Sequence, residues 1–256
     1  MFEFVRKFSL LMLLFVVGLS TYLSAENATD WKETLWVDVH PINGDGLATT
    51  DAYIESLTSA DFAGIERFMQ REAARYGVAI ERPVRMNLGP VLTEQPPVPP
   101  FGSSFLRIGL WSLELRWWVH KMTGHMDRPT PDIQLFLILF DPAQKSLLEH
   151  SVGLQKGRVG IVNAFANRRQ RATNNFVIAH EMLHTLGATD KYGPPDMLPV
   201  FPGGYAQPDK TPLYPQTKAE LMGGRIAVSP EHAVMPDGLG DTMVGPDSAV
   251  EIRWLR

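Results

Sequence analysis

Two histidines four residues apart, with a glutamate beside the first, are the side chains in this sequence best suited to chemistry. They lie in the segment His180-Glu181-Met182-Leu183-His184. Four residues make about one turn of an α-helix, so both imidazoles project from one helical face and can bind the same metal ion. Glu181 is then placed to take a proton from a metal-bound water. The spacing predicts a catalytic metal site, and zinc suits a set of imidazole and carboxylate ligands.

The third metal ligand must come from outside this helix, because a catalytic zinc usually takes three protein ligands. Gly187 can adopt a positive φ angle, which lets the chain leave the helix and turn back toward the metal. Asp190 can then present its carboxylate to the same ion. His232 and Glu220 are alternatives, but each needs a longer loop to return. The preferred third ligand is Asp190, which completes a site for one zinc ion per chain.

The composition makes the motif informative and excludes several other classes of site. With 7 histidines in 256 residues, chance places this pattern in roughly one such sequence in a hundred. The alternative to a metal site is an ordinary helix with solvated histidines. That alternative does not explain why two histidines and a glutamate stand at the end of an otherwise apolar helix. The chain has no cysteine, which excludes disulfides, thiolate zinc sites and a cysteine nucleophile. The net charge of -4 provides no basic field for nucleic acid, so no nucleic-acid partner is expected.

The predicted elements around the motif alternate between strands and helices, which indicates an α/β (α+β) fold in one domain over residues 26–256. The first part of the pattern is a strand over 34–40 ended by a turn at Pro41, a long helix over 51–76, a strand over 83–88 and a proline-rich loop over 93–101. The second part is a helix over 103–123, a buried central strand over 131–140, a hairpin of 150–154 with 158–162, and the motif helix, capped by Thr173-Asn174.

The helix predicted over 103–123 carries three tryptophans on a wide apolar face. Trp111, Trp117 and Trp118 are compatible with a membrane or ligand platform. Charged residues inside the segment exclude a membrane span, and aromatic residues at helical spacing are usually buried. We therefore expect core packing, or a lid over the sheet.

Residues 1–25 are predicted to be a targeting segment. Arg6 and Lys7 precede an uncharged, mostly apolar run from Phe8 to Leu23, and Glu26 and Asp30 follow it. The run is long for the apolar core of a signal peptide and short for a spanning helix, so both a cleaved signal peptide and an uncleaved transmembrane anchor fit. We favour the anchor over cleavage and over a buried first helix. Either targeting role predicts an exported domain, membrane-anchored or secreted to the periplasm or medium.

Residues 180–190 follow the pattern HExxHxxGxxD and resemble the metzincin metallopeptidases, in the version with aspartate as the third ligand. The resemblance implies a zinc metalloendopeptidase. It also implies a twisted mixed sheet with an antiparallel edge strand, a long first helix, a metal-binding helix after the sheet, a methionine-containing turn below the metal and a short C-terminal helix.

The methionine turn that the resemblance implies has one preferred match. Leu221-Met222-Gly223-Gly224 is similar to it, with Met235 and Met243 as rivals, and Ser248 to Leu255 matches the final helix. Some metzincins carry a tyrosine two residues after the turn methionine, where this chain has Gly224. Candidates to stabilise the transition state in its place are Tyr192, preferred for its proximity to Asp190, Tyr205 and Tyr214.

The predicted function is hydrolysis of peptide bonds, with a peptide or protein as substrate and Glu181 as general base. Two alternatives remain from other classes. One is a membrane-tethered binding protein without activity, and the presence of Glu181 argues against it because metal binding alone does not need this residue. The other is a metal-dependent amidase that acts on non-peptide amides.

Overall fold

The computed structural model describes Met12 and residues 29–100, 102, 104–125, 129–148, 151–155, 158–194 and 196–255. The predicted signal peptide or membrane anchor, 1–25, lies outside the described residues apart from Met12. Within the described ranges, no helix combines the length and apolar character needed to span a membrane.

Strands and helices are interspersed along the described residues from Leu35 to Thr185. The five strands of this part are β1 (Leu35–Asn43), β2 (Val84–Leu88), β3 (Ile133–Phe140), β4 (Val152–Leu154) and β5 (Val159–Phe165). Short strands follow: β6 (Tyr192–Gly193), β7 (Leu198–Pro199), β8 (Ala219–Glu220), β9 (Ile226–Ser229), β10 (His232–Val234) and β11 (Thr242–Met243). The helices are α1 (Ala48–Glu55), α2 (Ala63–Arg75), α3 (Phe105–Thr123), α4 (Arg171–Thr185) and α5 (Pro246–Glu251).

The described strands β1 to β5 form one sheet in the order β2-β1-β3-β5-β4. Neighbouring strands are parallel except β4, which pairs antiparallel with β5 and forms an edge. β3 has the sequence IQLFLILF and is buried on both faces, as expected of a central parallel strand covered by helices. The predicted mixed α/β fold with an antiparallel edge strand is therefore confirmed.

Helices cover both faces of this sheet, and each face has its own apolar core. On one face, α2 and α4 pack through residues such as Phe68 and Ile178 against β1 and β3. On the other face, α3 packs through Trp111, Leu115 and Trp118 against Phe136 and neighbouring strand residues. α4 therefore lies over the sheet beside the edge strand β4.

The single long helix predicted over 51–76 is wrong, because a second helix start interrupts it. α1 ends at Glu55, and a 3-10 turn at 59–62 leads into α2. The Asp61 carboxylate accepts hydrogen bonds from Thr58, from the backbone N at 2.9 Å and from the hydroxyl at 3.0 Å. Such a capping box favours a helix N-terminus over continuation of the preceding helix. The long first helix that the resemblance implied is thus two shorter ones.

Two predicted boundaries also shift, each through a particular hydrogen bond. β1 continues past Pro41 to Asn43, because the Pro41 carbonyl accepts from Leu92 N at 2.9 Å although proline has no N–H to donate. Asn174 does not cap α4. Its side chain binds the backbone N and O of Phe165, and α4 begins at Arg171 after a 3-10 turn capped by Asn167.

We expect Asp61→Ala to lower the free energy of unfolding at pH 7 by about 0.5–2 kcal/mol, the usual cost of losing a helix cap. The carboxylate also binds Arg171 at the start of α4, at 3.1 Å. Burial raises the pKa of Asp61, but its bonds with Thr58 and Arg171 outweigh burial and hold the pKa below its usual 3.8. A depressed pKa stabilises the fold above the unfolded-state pKa, and this contribution is lost as the pH falls through the folded-state pKa.

Urea unfolding at pH 7 and at pH 3 tests this expectation. The difference between the wild type and Asp61→Ala should shrink at pH 3, while Asp237→Ala, at an exposed position, should match the wild type at both. Equal stability of Asp61→Ala and the wild type at pH 7 would remove Asp61 from the account of the helix break.

Candidate metal centre

The two histidines of the motif lie on the last turns of α4, on its buried side. Met182 and Leu183 anchor this part of the helix in the core beneath the sheet. His180 is 7% exposed, and its ring centroid lies 4.7 Å from that of His184. The helical spacing therefore brings both imidazoles to one place, as predicted.

Three atoms with lone pairs converge at this place. His180 Nε2 and His184 Nε2 lie 3.1 Å apart, and Asp190 Oδ1 lies 3.1 Å from each of them. Tetrahedral zinc, with ligand bonds of about 2.0–2.1 Å, separates neighbouring ligand atoms by about 3.3 Å. The described side chains therefore fit three positions of a zinc tetrahedron.

The other nitrogen of each ring fixes the tautomer. His180 Nδ1 is 2.9 Å from Leu221 O, and His184 Nδ1 is 2.8 Å from Ala188 O. Because a carbonyl oxygen only accepts, both Nδ1 atoms carry hydrogen, and in the neutral rings both Nε2 atoms present lone pairs. Two lone pairs and a carboxylate oxygen repel one another at contact distance. A cation between them would remove this repulsion.

The electrostatics of the metal-free site agree with this demand for positive charge. Burial lowers the pKa of His180, but the Asp190 carboxylate and the nearby Glu181 outweigh burial and raise the pKa to about 9. Burial raises the pKa of Asp190, yet its contacts with the two histidines hold it well below the usual range. The metal-free site thus attracts a proton, in a position where a bound divalent cation would replace it.

Glu181 lies beside this cluster without acting as one of its three close ligands. A ligand atom from each of Glu181, His180 and His184 lies within 4.8 Å of the others. Glu181 is 5% exposed, and its Oε2 atom has no hydrogen-bond partner among the described residues. Burial raises the pKa of the Glu181 carboxyl above its usual value. A buried carboxylate with one free oxygen beside a metal site is suited to proton transfer.

The edge strand β4 packs directly on the metal helix through Gly153. The Gly153 backbone lies close enough to the Glu181 carboxyl to favour its charged form, although burial has the larger effect on its pKa. A Cβ atom added at Gly153 would lie 2.4 Å from Glu181 O and 2.5 Å from His184 Cβ. Only glycine allows so close an approach. The position of β4 relative to Glu181, the candidate general base, is therefore fixed by this contact.

Asp190 reaches the cluster by the predicted route. Gly187 has φ +108°, a conformation that favours glycine, and the chain turns back after it. The residues on either side of Asp190 are both held in place. Lys191 N donates to Met222 O at 2.8 Å, and Thr189 N donates to Glu251 of α5 at 2.9 Å.

A single carboxylate fastens this loop to the C-terminal helix. Glu251 accepts from the Thr189 hydroxyl at 2.7 Å and from Lys191 Nζ at 2.7 Å, in addition to Thr189 N. We call Thr189, Lys191 and Glu251 the Glu251 bridge. Burial raises the pKa of Glu251, but these three bonds outweigh burial and lower it, so the bridge is ionised at neutral pH. The Asp190 side chain remains 43% exposed.

The two alternative third ligands are placed elsewhere. Both carboxylate oxygens of Glu220 accept backbone N–H groups, from Gly223 at 2.7 Å and from Gly245 at 2.8 Å. His232 is exposed on the hairpin of β9 and β10. Neither shares the contacts that Asp190 makes with the histidines.

The turn Leu221-Met222-Gly223-Gly224 lies directly against the cluster. Its Leu221 and Met222 carbonyls accept from His180 and Lys191, and Met222 is fully buried. The rivals differ, since Met235 is 45% exposed and Met243 pairs with Glu220 in a short parallel ladder. Among the three methionines, Met222 is therefore the one whose turn contacts the cluster, and its role as a methionine turn stays a prediction.

Of the three candidate tyrosines, Tyr192 lies at the cluster. Its ring stacks on His180 with centroids 6.1 Å apart, and it lies close enough to Asp190 for the carboxylate to affect its ionisation. Burial and the Asp190 charge raise the pKa of Tyr192, so the phenol keeps its proton at neutral pH and can donate it in a hydrogen bond. Tyr205 and Tyr214 instead bond to each other, with hydroxyl oxygens 2.6 Å apart.

Sequence reasoning missed Gly153 and Glu251 as parts of the site. Neither belongs to the motif, and their roles arise from contacts between distant segments. A glycine in an edge strand and a glutamate in a short helix carry no local signal of these contacts. The positive φ angle of Gly187, in contrast, could be predicted, because this glycine directly follows the helix.

We expect the wild-type chain to bind about one zinc ion and Asp190→Ala to bind zinc more than about 100-fold more weakly, because it loses a ligand and not an outer-shell partner. Competition with a chromophoric chelator measures the affinity, and elemental analysis after dialysis measures the content. His232→Ala is the matched control and should bind zinc like the wild type. Unchanged affinity in Asp190→Ala would remove Asp190 from the ligand set.

We expect Glu251→Gln to weaken zinc binding by about 10–100-fold although it removes no ligand, since outer-shell partners of this kind have effects of that size. The substitution removes the charge that holds Lys191 beside Asp190. The same chelator competition measures the effect, with Glu231→Gln, at an exposed turn, as the control. Equal affinity in both variants would show that Asp190 keeps its position without the bridge.

Comparisons with known proteins leave the interpretation of this site to its own residues. No protein-family model matches the chain, and no curated protein matches its sequence.

Proposed function

We propose that this protein is a zinc-dependent metallopeptidase with His180, His184 and Asp190 as metal ligands and Glu181 as general base. The observation that carries the proposal is the convergence of two imidazole lone pairs and a carboxylate oxygen, each 3.1 Å from the others. This geometry suits zinc, and the three ligands leave one position for water or substrate.

Zinc held by these residues would supply Lewis-acid chemistry, polarising the carbonyl of the scissile bond and lowering the pKa of water. Glu181 accepts a proton from the attacking water and passes it to the leaving amine. Its raised pKa brings the carboxyl closer to neutral pH, where one group can take and return a proton. The protonated phenol of Tyr192 is a candidate donor to the charge that develops on the carbonyl oxygen.

The edge strand favours a peptide substrate over a non-peptide amide. β4 pairs on one side with β5, and Gly153 in its middle packs directly on the backbone of Glu181. An extended peptide can add to such an edge through backbone hydrogen bonds, which carries its amide groups past the general base. A small non-peptide amide would make no use of this edge.

The free Glu181 oxygen favours catalysis over a binding function without activity. A buried carboxylate oxygen with no partner is destabilising unless a ligand or a reaction uses it. A protein that only held the metal, or only recognised a partner, would gain nothing from this position.

The metzincin resemblance belongs to the same proposal. The HExxHxxGxxD segment, the turn at Met222 and the short helix α5 are compatible with a metzincin-like enzyme in which the first helix is divided. Export of the domain, through the apolar segment before Glu26, suits a peptidase that acts outside the cytoplasm.

We expect Glu181→Gln to keep zinc and to lower kcat for peptide hydrolysis by about 10²–10⁴-fold, the range for loss of a general base. His184→Ala should lose both zinc and activity. A library of fluorogenic peptides gives the substrate, and chelator competition gives the zinc affinity. Glu231→Gln serves as the exposed control.

Undiminished hydrolysis in Glu181→Gln would remove this residue from the mechanism. Zinc binding without cleavage of any peptide, together with hydrolysis of simple amides, would favour the amidase alternative. Zinc binding with neither activity would favour the binding protein.

A further inference from the structure

Glu220 has a fully buried carboxylate that the proposed mechanism does not use. Its exposed fraction is 0%, against 5% for Glu181. Burial raises the pKa of the Glu220 carboxyl above its usual value, and its hydrogen bonds and the Lys191 charge offset only part of this effect. Such a group is costly to bury unless bonds within the protein replace its lost hydration. The partners of Glu220 therefore indicate what it does.

Each oxygen of this carboxylate accepts one backbone N–H group, and the two donors belong to different segments. We call Leu221 to Gly224 the Met222 turn. Oε2 of Glu220 accepts from Gly223 in the Met222 turn at 2.7 Å, and Oε1 accepts from Gly245, directly before α5, at 2.8 Å. Distances this short are typical of charge-assisted bonds to a carboxylate. One side chain thus fastens the Met222 turn to the start of α5.

The Met222 turn contacts both parts of the candidate metal centre through consecutive carbonyl groups. Leu221 O accepts from His180 Nδ1 at 2.9 Å. Met222 O accepts from the backbone N of Lys191 at 2.8 Å, directly after Asp190. The same turn therefore orients a ring on the metal helix and holds the loop that carries the third proposed ligand.

The backbone bonds of the Met222 turn fix its shape and its first residue. Gly223 N and Gly224 N donate to Glu220 O at 3.0 and 3.1 Å, which closes the turn on itself. Leu221 N donates to Met243 O at 2.9 Å, which attaches the beginning of the turn to β11. The Glu220 carboxylate adds an attachment for the second half of the turn, because it joins Gly223 to the residue before α5.

The other end of α5 already holds the metal loop through the Glu251 bridge. Glu251 binds Thr189 and Lys191, the neighbours of Asp190 on either side. One carboxylate at each end of the short helix α5 thus connects it to a segment that positions a proposed ligand. α5 is the common support of both segments.

We propose that Glu220 is a positioning residue of the candidate metal centre and acts through the Met222 turn. Its carboxylate holds the turn in the place where one carbonyl orients the His180 ring and the next binds the loop of Asp190. Glu220 itself contacts neither metal nor substrate. That the positioned side chains bind zinc rests on the proposed function, whereas the positioning itself is a property of the metal-free chain.

Glu72 offers a matched control, because it is a second buried carboxylate that binds the same C-terminal segment. It is 3% exposed, accepts from Val244 N at 3.0 Å and pairs with Arg75 at 2.7 Å. Among the described residues, its hydrogen bonds and ion pairs do not reach the Met222 turn. Glu72→Gln therefore removes a buried charge without releasing the turn.

The first measurement needs neither a variant nor a metal. Native-state hydrogen exchange of the metal-free full chain, followed by nuclear magnetic resonance in increasing urea below the unfolding transition, gives the opening free energy of each amide. The amides of Gly223, Gly245 and Lys191 should open together with one urea dependence, before the amides of β3. An amide of Lys191 that opens independently of Gly223 would overturn the proposal.

The second measurement compares Glu220→Gln with Glu72→Gln. A glutamine side chain can accept only one of the two N–H groups, so we expect the Lys191 amide of metal-free Glu220→Gln to exchange about 10–100-fold faster. Zinc binding, measured by chelator competition, should weaken by about 10–100-fold, as for other outer-shell partners. Glu72→Gln should match the wild type in both. If Glu220→Gln fails to fold, the wild-type exchange pattern decides.

Equal losses of zinc affinity in the two variants would overturn the proposal, because general destabilisation would then explain both. Unchanged exchange of Lys191 in Glu220→Gln would also overturn it, even if the wild type binds zinc as proposed. A wild type that binds no zinc would instead remove the proposed function. The exchange data on the metal-free chain would still decide whether Glu220 holds the turn.

Discussion

The site depends on one constraint, which is that two imidazole rings one helical turn apart must both direct Nε2 lone pairs at the same point. Backbone carbonyls impose it by accepting the Nδ1 hydrogens, Leu221 O for His180 and Ala188 O for His184. These carbonyls belong to the turn at Met222 and to the loop after Gly187. The turn, the loop and the helix must therefore assemble together, and each fixes the position of the others.

The sequence predicted the parts of this arrangement that depend on local geometry. Helical periodicity brings His180 and His184 together, and a glycine directly after the helix allows Asp190 to return. Alternating strands and helices predicted the mixed sheet, and the short turn between β4 and β5 predicted the hairpin. Each of these predictions uses residues that are close in the chain, where spacing and conformation determine which side chains meet.

The errors and omissions of the sequence-based predictions have two sources. Some side chains make contacts with segments far away in the chain, and others form local hydrogen bonds that outweigh the hydrophobic pattern. The helix break at Asp61 follows from a capping box, which outweighs an apolar periodicity that would otherwise continue. Asn174 resembles a cap in sequence, yet it binds the backbone of Phe165. Gly153 and Glu251 gain their roles only after β4 packs on α4 and α5 packs on the metal loop, so no window of sequence contains both partners.

The Glu251 bridge has a consequence for when the metal can bind. Its carboxylate lies 62 residues after Thr189 in the chain, so a nascent polypeptide displays both histidines long before anything holds the third ligand in position. Until α5 has folded, such a chain offers an incomplete chelate. If the site holds zinc, as we propose, tight capture of the ion comes at the end of folding, and the compartment in which α5 docks would determine which metal pool fills the site.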